Sequence, residues 1–88
     1  MLTGTTSTGF AWKVEEEALD DMELLDALVA WDNGAGEASS TVCLHLLGKQ
    51  QRAALYDHLR DENGRVKLTA AVAAVNEILA EIRDGKKS

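Results

Sequence analysis

Apolar and polar positions alternate first with a period of two. Phe10, Trp12 and Val14 are separated by Ala11 and Lys13, which predicts a short strand with one apolar face. The Thr-rich stretch Thr3 to Thr6 can pair with it across a turn at Ser7-Thr8-Gly9. A lone hairpin is unstable in water, so Phe10 and Trp12 must rest on a helix.

From Glu15 to Asp32 the period lengthens to that of a helix. Asp20, with Glu23 three residues on, has the form of a capping box after an acidic first turn. Ala18, Met22, Leu25 and Val29 make one apolar line. Leu24, Leu28 and Trp31 make a second line beside it. Together they cover nearly half the circumference, whereas packing on a small core needs a stripe only a little over ~100° wide. The second line, with the acids Glu17 and Asp21 nearby, is therefore a candidate partner-binding surface. The other reading of Leu24, Leu28 and Trp31 is that they complete the core of the monomer.

Asn33-Gly34-Ala35-Gly36 ends this helix, with glycine available for a left-handed cap. Ser39 or Ser40 caps a short helix that runs to Leu47, with Val42, Leu46 and Leu47 inward. Gly48 stops it. Lys49 opens a helix to about Glu62, with Leu55 and Leu59 on its buried face, flanked by Ala54 and Tyr56. Asn63-Gly64 is a stop, and Arg65 to Lys67 an extended link. Thr69 caps a last helix with apolar positions Leu68, Val72, Val75, Ile78 or Leu79, and Ile82. The expectation is a mainly α, four-helix domain spanning residues 1–88. Residues 1–8 are a flexible or hairpin start, and 84–88 a frayed polar tail.

Composition narrows the function. The chain has 88 residues, 45% of them hydrophobic, with two Trp, one Tyr and one Phe, so the core is aliphatic. A chain this short buries about 60–65% of its unfolded surface, and self-association as a homo-oligomer would add to a thin core. Residues 1–38 carry nine acids and one base, Lys13, giving −8. Residues 39–88 carry six acids and eight bases, giving +2, so the total is −6. An acidic half disfavours nucleic acid and favours basic partners. One cysteine, Cys43, suits a reducing cytosol. No secretory signal is read, and no apolar run reaches the ~18 residues that a membrane span needs.

Catalytic and metal chemistry find no support. Cys43 and His45, at i and i+2, point to different sides of a helix, and His58 lies thirteen residues on, too few ligands for structural zinc. Cys43 reads as a small core residue, and His58 as bordering the buried stripe of its helix. Asp32-Asn33-Gly34 and Asp61-Glu62-Asn63-Gly64 lack the alternating oxygens and closing Glu of a calcium loop, and read as helix stops. No phosphate-binding loop or nucleophile–base pair is present, so no enzyme, cofactor or metal is expected.

One resemblance goes further. Gly9-Phe10, Asp20-Asp21-Met22-Glu23-Leu24-Leu25, Leu46-Leu47-Gly48-Lys49, Leu55-Tyr56-Asp57-His58-Leu59-Arg60 and Asp61-Glu62-Asn63-Gly64-Arg65-Val66 follow one another in a moderately specific order and spacing. In that order the segment resembles the tail assembly chaperones of long-tailed phages and prophages. Two departures are Lys67, where that family's pattern has proline, and the Gly/Ala-rich loop from Asn33 to Ala38. The resemblance implies a factor of the host cytoplasm, absent from the mature virion. It would bind the tape measure protein and keep that long helical chain soluble until the tail tube forms. A longer form made by ribosomal frameshifting would reach the major tail protein. Gly85-Lys86-Lys87 can be encoded GGA AAA AAG, which contains the slippery heptamer A AAA AAG; the gene's own codons test this hypothesis. The competing readings are an acidic, DNA-mimicking inhibitor and a structural tail or head completion subunit.

Overall fold

The computed structural model describes residues 1–85. Strands β1 (Leu2–Thr5) and β2 (Ala11–Val14) form an antiparallel hairpin, with Leu2 opposite Val14 and Thr5 opposite Ala11. Five helices follow: α1 (Glu16–Leu19), α2 (Met22–Asp32), α3 (Ala38–Leu47), α4 (Lys49–Leu59) and α5 (Leu68–Gly85). The mainly α architecture with an N-terminal hairpin is thus present, and the first residues form its leading strand. The frayed end expected from Asp84 is instead helical through Gly85. The Lys86-Lys87 part of the frameshift reading lies outside the described residues.

The period-two segment does what its pattern requires. Phe10, Trp12 and Val14 are buried while Ala11 and Lys13 face out. They join Leu24, Ala27, Val42, Cys43, Leu46, Leu47, Leu55, Val75 and Ile78 in one core. Thr6 closes the turn by accepting the Phe10 N–H at its Oγ1, 3.1 Å, and by accepting Gly9 N–H at its carbonyl, 2.9 Å. The outer edge of β2 is covered by a side chain. The Gln51 amide accepts the Lys13 N–H and donates to the Lys13 carbonyl, both at 2.7 Å, standing in for a neighbouring strand.

The helix expected from Glu15 to Asp32 is broken. Asp20 leaves helical geometry (φ −97°, ψ 59°) and Asp21 is extended. Asp21, not Asp20, is the cap: its Oδ1 accepts the Glu23 N–H at 2.9 Å. The break separates Ala18 from the line through Met22, Leu25 and Val29. Ala18 and Leu19 pack against the core from their own short turn. α2 ends as expected at glycine: Gly34 has φ 102°, and Ala35 N–H reaches back to Ala30 O at 2.9 Å in a Schellman arrangement.

Smaller differences have local causes. α3 begins at Ala38, so Ser39 is inside the first turn and donates its hydroxyl to Gly36 O at 2.7 Å. Gly48, at φ 85°, is the whole joint between α3 and α4. α4 stops at Leu59, three residues short of Glu62, because Arg60 turns extended and bridges Val66. Asp61 organises the intervening turn: its Oδ1 accepts Asn63 N–H at 2.9 Å and Arg65 N–H at 3.0 Å. The Arg65 amide and then the Asn63 amide hold the Asp61 carboxyl below its usual range. α5 begins at Leu68, one residue before Thr69, and Leu68 is 72% exposed rather than buried. Ala54 is also exposed.

Cys43 lies in the core, and burial pushes its thiol up to about 11, with Arg52 partly opposing the shift. Folded protein at pH 8 is expected to resist a thiol-specific reagent and to react fully in denaturant. The raised value also sets a sign. Between the ordinary value of 9.0 and about 11 the unfolded chain ionises first, so stability falls as pH rises through that window. Denaturant melts across that range check this; unchanged midpoints would contradict it.

Candidate partner-binding surface

α2 is apolar on more of its circumference than one packing partner can cover. It packs most extensively on α3, and the face turned inward carries Leu24 and Ala27, both buried. Leu24, 3% exposed, is therefore a core residue. Leu28 and Trp31 are half-buried against the same core. They also line an open groove between α2 and α5, together with Asp32, Val72, Asn76 and Leu79. The line read as a partner surface is thus split, with Leu24 inside and Leu28 and Trp31 at a groove wall.

The first apolar line takes the outward place. Met22 is 67% exposed, Leu25 49% and Val29 52%. These residues, spaced i, i+3 and i+7, form a strip about 10 Å long on one side of the helix. Leu25 and Leu28, three apart, are neighbours on the helix surface, so the strip continues into the groove. Asp26 is exposed along one border of the strip, and Asp32 lies at the other. Glu23 is exposed farther round the helix, toward His45 of α3. Two equally regular lines could not be ranked from α2 alone. The break at Asp20 and the position of α3 decide between them, and neither is written in the periodicity of α2.

Of the acids expected beside the surface, Glu17 is exposed on α1 and Asp21 is partly buried under α2. Asp21 is engaged twice. One oxygen caps the helix, and the other lies 3.3 Å from His45 Nδ1 on α3. That contact becomes an ion pair whenever the imidazole is protonated, and it ties the start of α2 to the end of α3. Its members are 24 residues apart, and no sequence signal joined them. Glu23 stands nearby, so Asp21, Glu23 and His45 present ligand atoms within 4.8 Å of one another. His58 is exposed in the last turn of α4. Its Nε2 donates to Thr8 O at 2.9 Å and its ring lies 5.6 Å from that of Phe10, so it clips α4 to the hairpin turn.

Cys43 is buried with a raised pKa, and the two imidazoles are held by separate structural partners. No helix among the described residues is long and apolar enough to cross a membrane. Comparisons with family models, with curated proteins and with solved structures find no match for this chain.

Proposed function

We propose that this chain is a tail assembly chaperone of the long-tailed phage type, acting in the host cytoplasm. It binds the tape measure protein and keeps it soluble during tail tube assembly. The supporting observation is the apolar strip Met22, Leu25 and Val29, which stays in solvent after the core is complete. Exposed apolar residues arranged in a line, rather than scattered singly, mark a binding surface. A helical strip is shaped to receive a second amphipathic helix. The acids around it keep a coated client dispersed. Many copies spaced along one long client gain avidity from weak individual contacts.

The test is co-expression with the product of a long, helix-rich reading frame next to this gene. The expected result is that the large protein moves to the soluble fraction and co-purifies with this chain in many copies. A client that neither binds nor gains solubility overturns the proposal.

A further inference from the structure

Which client chemistry the α2 face accepts can be read from its charges. Between Val14 and Gly48 there are nine acids and not one Lys or Arg. Two of those acids, Asp26 and Asp32, border the strip and its groove on opposite sides and are exposed. A helix laid on Met22, Leu25 and Val29 therefore brings its two flanks over carboxylates on both sides. We infer that this face docks an amphipathic helix whose apolar stripe is flanked by Lys and Arg. The inference rests on the chaperone reading for the existence of a client and goes beyond it in stating the client's chemistry and the residues that select it.

Charge complementarity also decides against a second copy of the chain placed face to face. Two-fold pairing of this surface would set Asp26 and Asp32 against acids of the same kind across a narrow interface, and like charges there oppose association. A helix with basic flanks meets the same carboxylates favourably. It retains the apolar contact that supplies most of the affinity, while the charges supply selectivity and encounter rate.

The probes are two synthetic peptides of about 20 residues, long enough to hold a helix. They share one Leu stripe and differ only in flanks of Lys and Arg or of Glu. Binding to the full chain is followed by fluorescence anisotropy at low and at physiological salt. The basic peptide is expected to bind at least about tenfold more tightly than the acidic one, a preference that added salt reduces. Leu25→Glu is expected to weaken the basic peptide by about tenfold or more while leaving the circular dichroism spectrum unchanged, because Leu25 is half exposed. The pair Asp26→Lys and Asp32→Lys, both at exposed positions, is expected to invert the preference between peptides.

Equal binding of the two peptides overturns the inference, as does unchanged binding by Leu25→Glu or by the charge-reversed pair. Sedimentation of the unaltered protein as a dimer that Leu25→Glu dissociates also overturns it, since a second copy then occupies the face. The two proposals fail separately. Peptide selectivity without rescue of the large client leaves the docking chemistry standing and removes the chaperone reading. Rescue of the client without peptide selectivity does the reverse.

Discussion

Replacing Trp12 by alanine is expected to leave the chain unfolded at 25 °C. Trp12 is the largest side chain in the core and is 3% exposed. Removing a buried tryptophan costs about 3–5 kcal/mol, from lost transfer energy and the cavity left behind. A domain of this size holds only a few kcal/mol per molecule to begin with. The two quantities are comparable, so one substitution consumes the whole margin. The hairpin makes the loss worse, because a two-stranded sheet has no stability without the apolar face that Trp12 supplies. Far-UV circular dichroism and size exclusion read the outcome: lost helix signal and an expanded chain. A cooperative melt within a few degrees of the parent contradicts it. Trp12→Phe sharpens the argument. The indole Nε1 is buried with no hydrogen-bond partner. Phenylalanine gives up some volume but removes that orphaned donor, and is expected to remain folded.

Trp12 also shows how far the sequence could be read. Alternation identified Phe10, Trp12 and Val14 as one buried face, since a period of two admits only one such arrangement once a face is covered. The glycines at 34 and 48 were equally legible, because a left-handed residue at a helix end is a local requirement. α2 was not. Two apolar lines on one helix satisfy the same periodicity, and the choice between them is made by α3, which lies elsewhere in the chain. Leu24 was drawn inside, and Met22, Leu25 and Val29 were left outside. The capping acid moved by one residue for a related reason. Asp20 and Asp21 are both good caps, and the Asp21 carboxylate also reaches His45. Local propensity cannot see a partner 24 residues away. The surface proposed for recognition is made of residues singled out from the sequence, with Leu24 inside, Leu28 and Trp31 at the groove wall, and Met22, Leu25 and Val29 in solvent.

Gly4→Ala is expected to destabilise the fold by about 1–3 kcal/mol, the cost of forcing an extra carbon into a filled space. The glycine is not there for its backbone freedom, since Gly4 is absent from the residues with positive φ. It is there for room. A Cβ at position 4 would stand 2.6 Å from Trp12 Cζ2, 2.8 Å from Trp12 Cε2 and 2.5 Å from Glu81 Oε1. The Glu81 carboxylate ends a flexible side chain and can turn away. The Trp12 ring is in the core and cannot, so β1 must lift from α5 or the indole must shift and open a void. Gly36 provides the control, because a Cβ there meets nothing within 4 Å and its φ is not positive. Gly36→Ala is expected to be neutral or to stabilise by about 0.4–1 kcal/mol through the unfolded chain alone. Thermal melts of the two variants side by side decide the matter. If both shift equally, close packing of the indole on Gly4 is not what holds the hairpin to α5. If only Gly4→Ala loses stability, the glycine is the seat on which Trp12 rests.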